Sequence, residues 1–118
     1  MKNSFRELFV WQASVELATL MIALADRLTA ARHFALANQI VRAAVSVPSN
    51  IAEGEGRLTN RDRRHYLAQA RGSLYELETQ LEILKRANIE SDIEPARTLA
   101  AKISKGLTKM ITSRDESL

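Results

Sequence analysis

Leu67, Ala70, Leu74, Leu77, Leu81 and Leu84 recur at alternating three- and four-residue intervals. This spacing follows the turn of an α-helix and contradicts the two-residue alternation of a half-buried strand. It makes one flank of the segment continuously apolar, so the segment needs other helices to cover it. The expected solution is the seam of a helical bundle. Thr59 stands where an N-cap belongs, with Asp62 three residues on, close to a capping box. The helix should end near Asn88. Gly72 lies inside it, where glycine costs about 1 kcal/mol relative to alanine. It marks either a close approach by a neighbouring helix or simple tolerance.

Three further segments carry the same period. From about Phe5 to Ala30, Trp11, Val15, Ala18, Ile22 and Ala25 form one stripe, and Leu17, Met21, Leu24 and Leu28 form a second beside it. The double stripe either wraps further into one core or meets another subunit. From about Phe34 to Glu53, Ala37, Ile40 or Val41, Ala44, Val47 and Ile51 recur at helical spacing. Pro48 interrupts this segment by removing the N–H that would bond the Ala44 carbonyl. The periodicity continues past it, so a kink is expected, not a break. Gly54-Glu55-Gly56 should cap and turn the chain. The last helix should start near Asp92 to Pro95, with Pro95 in its first turn. Ala96, Leu99 or Ala100, Ile103, Leu107 and Met110 form its seam, and residues 112–118 should fray. Short connections make neighbours antiparallel. The expected fold is an all-α, up-and-down antiparallel four-helix bundle, with the second helix kinked near Pro48.

Composition agrees. The 118 residues suit a single domain, residues 1–118. Gly (4), Pro (2) and aromatic residues (5%) are too scarce for a sandwich or barrel, while apolar residues reach 46%. With no cysteine, a disulfide scaffold, a thiolate metal site and a cysteine nucleophile are excluded. Charges interrupt every apolar run, so no membrane span and no secretion signal are expected, and a cytoplasmic location follows.

Enzymatic constellations are missing from the pattern. His33 and His65 lie in different segments without partners at metal-ligand spacing, and no Glu-x-x-His pair exists. No phosphate-cradling glycine loop follows a strand. No catalytic, cofactor or metal residues are assigned. One polar stripe does stand out. Arg42, Ser46, Asn50 and Glu53 share a face of the second segment, and Ser73, Glu76 and Gln80 share a face of the third. Pairing them would give a network that sets helix register or closes a subunit interface. The competing reading is a ligand site.

The net charge is +3, with 17 basic and 14 acidic residues. The charges are blocked along the chain. Arg57, Arg61, Arg63, Arg64 and Arg71 cluster around the second loop, and Arg97, Lys102, Lys105, Lys109 and Arg114 occupy the fourth segment. Between them lie Glu76, Glu78, Glu82, Glu90, Asp92 and Glu94. Gathered on one surface, Arg57, Arg61, Arg63, Arg64, Lys102, Lys105 and Lys109 would attract the phosphates of RNA or DNA. Otherwise they form a solvated face. Tyr66 beside His65 offers an aromatic for base stacking.

The run from Gln39 to Gly54, with its core Arg42-Ala43-Ala44-Val45-Ser46-Val47-Pro48-Ser49-Asn50-Ile51-Ala52-Glu53-Gly54, is highly specific, as is Gly72-Ser73-Leu74-Tyr75-Glu76-Leu77-Glu78. With Phe5 to Trp11 ahead of them, these stretches resemble the four-helix-bundle family of bacterial ribosomal-RNA intervening-sequence proteins. The resemblance covers residues 5 to about 90. It implies an up-and-down bundle assembled as a ring-like homopentamer, with no established catalytic activity. It also implies kinship with the accessory protein of diversity-generating retroelements, a basic pentamer that binds nucleic acid and a reverse transcriptase. The family signature falls on Arg42, Ser46, Pro48, Asn50, Glu53, Gly72, Ser73, Glu76 and Glu78. This chain departs from the pattern at Thr29-Ala30-Ala31-Arg32, where a proline is frequent, and at Val41-Arg42, where two basic residues are frequent.

Three functions compete. The first is a non-enzymatic oligomer that binds RNA or DNA through its basic surface. The second is a scaffold that presents a surface to a partner protein without binding nucleic acid. The third is an enzyme using Arg42, Asn50 and Glu53.

Overall fold

The computed structural model describes residues 4–116. A 3₁₀ turn at Phe5–Glu7 precedes four helices: α1 (Phe9–Ala30), α2 (Phe34–Glu55), α3 (Asn60–Arg86) and α4 (Glu94–Glu116). No strand occurs among the described residues. The long axis measures 49 Å against 22 and 20 Å across. That elongation explains why the chain exposes 7222 Å², above the roughly 6,400 Å² of a compact monomer of this mass.

Each helix packs on two neighbours, in the cyclic order α1, α2, α3, α4. Cross-helix pairs show the direction. Ser46 meets Ser73 and Glu55 meets Arg63, while Arg71 meets Thr108 and Glu82 meets Arg97. Residue numbers rise on one helix as they fall on the next, so α2/α3 and α3/α4 are antiparallel.

The core is the one the periodicity implies. Leu67, Ala70, Leu74, Leu77, Leu81 and Leu84 on α3 all have 0% exposure. They face Ile40, Val47 and Ile51 of α2 and Ala100, Ile103 and Leu107 of α4, also at 0%. Of the two stripes on α1, Leu17, Met21, Leu24 and Leu28 are buried. The other stripe splits. Ala18 and Ala25 are buried, Trp11 and Val15 are half-buried, and Ile22 is 44% exposed. Trp11 is braced instead by the N-terminal turn, its ring edge-to-face with Phe5 at 5.3 Å. By length and composition α1 could cross a membrane, but 44% of that window is buried inside the bundle.

Helix ends follow local chemistry. Thr59 caps α3, its hydroxyl accepting from the Asp62 N–H at 3.1 Å. α1 and α3 close with the same motif. Arg32 N–H donates to Thr29 and His33 N–H to Leu28; Asn88 N–H donates to Lys85 and Ile89 N–H to Leu84. These are Schellman caps with the pivotal residue in the left-handed region, Arg32 at φ 70 and Asn88 at φ 59. Neither pivot is a glycine.

The structure places the helix ends and the interior glycines more finely than spacing does. α2 does not stop at Gly54. It continues through Pro48 to Glu55 and is capped by Gly56 in an ordinary right-handed conformation (φ −90). Gly54 is buried inside the helix because α3 lies against it. A Cβ there would stand 3.1 Å from Tyr66 Cβ and 3.2 Å from the Arg63 carbonyl oxygen. Gly106 plays the same part between α4 and α1, where an added Cβ would meet Val10 Cγ1 at 2.6 Å. Gly72 does not: nothing of its own chain lies within 4 Å of that position. α4 runs past Thr112 to Glu116, and residues 117–118 lie outside the described residues.

Candidate nucleic-acid interface

The polar stripe on α2 meets its counterpart on α3 at one point. Ser46 Oγ lies 2.8 Å from Ser73 Oγ across the helix interface. Asn50 Nδ2 donates to both the Ser46 carbonyl and the Ser46 hydroxyl at 2.9 Å. All three side chains are half-buried. Asn50 therefore ties its side chain back to the preceding turn and orients the Ser46 hydroxyl that meets Ser73 across the α2–α3 interface. Glu53 turns away and pairs with Arg57 one turn on. Arg42 is exposed and makes no ion pair with any described residue. The Arg42, Asn50 and Glu53 side chains thus go to separate places, and no reaction centre forms from them. Gln80, only 6% exposed, donates to Glu76 Oε2 at 3.4 Å.

The arginines of the second loop are largely neutralised at home. Arg57 lies over the Tyr66 ring at 4.5 Å, donates to its hydroxyl at 3.0 Å and pairs with Glu53. That stack covers a face of Tyr66 which a nucleobase would need. Arg63 pairs with Glu55 at 2.7 Å, each side chain only 17% exposed, and so clamps the end of α2 to the start of α3. Arg64 is half-buried. Of the four, Arg61 alone is exposed without an ion pair among the described residues. The carboxylates responsible, Glu53 and Glu55, sit before the arginine run in sequence and are brought onto it by the turn.

α4 differs. Lys102, Lys105 and Lys109 are all exposed on its outward side, and none forms an ion pair with a described residue. Because α3 and α4 are antiparallel, the basic first half of α3 lies beside the second half of α4. Arg71 Nη1 marks the junction, donating to Thr108 Oγ1 at 3.2 Å. The acids of α3 and the following loop gather toward the other end. There Glu82 takes Arg86 at 2.8 Å and Arg97 at 3.1 Å. The hydrogen bond from Arg86 holds the Glu82 carboxyl below its ordinary value, with the charges of Arg86, Arg97 and Lys85 assisting against some desolvation. Burial pushes the Glu78 carboxyl up, and Arg97 draws it partly back. Positive charge is thus concentrated on one stretch of the α3–α4 surface and largely compensated elsewhere.

Among the described residues no cluster of three or more His, Cys, Asp or Glu side chains is placed to hold a metal ion. His65 instead lies 3.0 Å from Gln69 Nε2 and edge-to-face with Tyr66. Two depressions of the surface stand out. One lies along α3 beside Tyr75, Glu78, Thr79, Glu82, Ile83 and Arg86. The other lies where α1 meets the start of α4, among Leu20, Leu24, Arg27, Asp92, Ile93 and Pro95.

No curated protein matches the sequence. A solved structure does match: a protein of unknown function of the S23 ribosomal protein family from Bacteroides thetaiotaomicron VPI-5482. The two share 28% identity, with a TM-score of 0.82 over 86% of this chain and 97% of that one. The sequence model of the 23S rRNA-intervening sequence proteins matches residues 6–113, from the turn before α1 to the last turns of α4. With both signature runs meeting at the Ser46–Ser73 contact of that bundle, the chain belongs to the 23S rRNA-intervening sequence protein family.

Proposed function

We propose that this protein is a non-enzymatic cytoplasmic module that assembles as a ring-like homopentamer and binds RNA or DNA through a basic surface. The observation that carries the reading is the ridge of Lys102, Lys105 and Lys109, exposed and free of carboxylate partners among the described residues. Arg71, bonded to Thr108, adjoins it on α3. A cation without a partner loses no ion pair when it meets a phosphate, and it releases counterions from the nucleic acid. Three lysines per chain make a weak patch. Repetition around a ring raises avidity without new contacts.

Fluorescence anisotropy with a structured RNA and a DNA duplex, at 50 and 200 mM salt, tests the reading. Each lysine that neutralises a duplex phosphate adds about 0.9 to the slope of log affinity against log salt. The Lys102→Gln/Lys105→Gln/Lys109→Gln variant should bind more weakly and flatten that slope. Unaltered binding by this variant, or no binding by the intact protein at low salt, overturns the reading.

A scaffold for a partner protein is the second reading. It draws on exposed apolar side chains, among them Phe9 at 56%, Phe34 at 52% and Ile83 at 50%. Co-purification of a stoichiometric protein that survives nuclease treatment would favour it.

A further inference from the structure

The lysines of α4 stand level with an aromatic ring that the chain leaves open. Two contacts set the register. Arg71 meets Thr108 and Glu82 meets Arg97, and the steps from Arg71 to Glu82 and from Arg97 to Thr108 are both eleven residues. The two helices therefore run evenly between these contacts, each rising about 1.5 Å per residue. Lys105 is level with Leu74 and Lys102 with Leu77, so the two bracket the level of Tyr75. Lys109 is level with Ala70, beside Arg71.

Tyr75 is 47% exposed. Tyr66, the aromatic that the sequence singles out, is covered by Arg57 at 4.5 Å from its ring centre, whereas the Arg71 guanidinium lies farther from the centre of Tyr75, at 5.9 Å. The depression on the outer side of α3 begins at Tyr75 and passes Thr79 and Ile83 on its way to Ala87. Its rim carries Glu78 and Glu82, and the cation within it, Arg86, is taken by Glu82. Cations thus lie on the α4 side of Tyr75, and an apolar hollow with carboxylates lies on the other.

A nucleotide strand is divided in the same way, into an anionic backbone and flat apolar bases. Lysines collect the phosphates, and an open aromatic ring takes a base by stacking whatever its sequence. Glu78 repels phosphate, which keeps the backbone on the α4 side and leaves the hollow to the base. In a duplex the base faces are already stacked on one another, so only an unpaired base can use the ring.

Resting on the nucleic-acid reading above, we infer that the α3–α4 surface takes single-stranded RNA or DNA, with an unpaired base on Tyr75 and the flanking phosphates on Lys102, Lys105 and Arg71. Lys109 continues the track. A duplex meets the same lysines but gains nothing from the tyrosine.

Fluorescence anisotropy of the full chain at low salt tests this, with labelled oligo(U), oligo(dT) and a duplex of equal length. A single strand of one or both sugars should bind more tightly than the duplex. Tyr75→Ala should weaken single-strand binding about tenfold, leave duplex binding as it was and keep the salt slope, because the phosphate contacts remain. Tyr75→Phe, which retains the ring, should bind like wild type. The position is exposed, and circular dichroism checks that the helices persist. Unaltered single-strand binding by Tyr75→Ala, an equal loss for strand and duplex, or a wild-type preference for the duplex overturns the stacking site while the nucleic-acid reading stands. A full chain that binds none of the three probes removes the nucleic-acid reading itself.

Discussion

Ser46 Oγ and Ser73 Oγ stand 2.8 Å apart across the α2–α3 interface, the one direct side-chain hydrogen bond between the two signature runs among the described residues. Asn50 supports the pair by donating to Ser46 twice. A half-buried hydroxyl pair of this kind contributes about 1 kcal/mol. Ser46→Ala and Ser73→Ala should each destabilise by about that amount, and the double variant by less than the sum, because either change alone breaks the same bond. Urea unfolding of the four proteins gives the coupling. Strict additivity would show that the pair does not act as a unit.

The three interior glycines should respond differently to alanine. At Gly54 the added methyl meets Tyr66 Cβ and the Arg63 backbone. Gly54→Ala should therefore lose about 1–3 kcal/mol in spite of the better helix propensity. Gly106→Ala should also destabilise, but here the obstacle is one methyl of Val10. Adding Val10→Ala should restore part of the loss. Gly72 has open space around it, so Gly72→Ala should stabilise the isolated chain by about 1 kcal/mol. Thermal melts of the three variants beside the parent chain read these effects.

Arg32 holds φ 70 and Asn88 holds φ 59 at equivalent positions of two caps. Asparagine tolerates the left-handed region better than arginine does. Arg32→Gly should raise stability by up to about 1 kcal/mol. Asn88→Gly should gain less. Equal gains at both sites would argue against backbone strain as the cause.

Glu78 and Glu82 should bend the pH–stability curve in opposite directions. Burial raises the folded-state value of Glu78 above the ordinary 4.5. The folded chain then holds that proton more tightly than the unfolded chain does. Its contribution is favourable in acid and is lost as pH rises through the raised value. Glu78→Gln should thus increase stability at pH 7, with the gain disappearing below about pH 4. Glu82 is lowered by its bond from Arg86. Its contribution is present above the unfolded value and lost as pH falls through the depressed folded one. Glu82→Gln should weaken the protein at pH 7 and matter little in acid. Denaturant midpoints at the two pH values check both signs.

Helix identity was legible because burial on one side imposes a 3.6-residue period on the chain itself. The α3 seam, the Thr59 cap and the place of Pro95 could be read residue by residue. So could the presence of a polar meeting of α2 with α3, though not which atoms would touch. Among the basic residues, sequence grouped Arg57 and Arg63 with Lys102, Lys105 and Lys109. The fold separates them, because Glu53 and Glu55 reach the arginines around a turn whose course the spacing does not contain. The signal that was available is Glu53 four residues before Arg57, a helical ion-pair spacing.

Sequence alone therefore determined four amphipathic helices, the seam that α3 buries, and the family to which they belong. Only the tertiary structure decided which charges meet. Periodicity is a property of one helix, whereas register between helices depends on how side chains interlock across an interface. That register brings Glu82 onto Arg97 and sets Ser46 against Ser73. It makes Gly54 and Gly106 points of contact, and it leaves Arg42 and the α4 lysines turned outward without partners among the described residues.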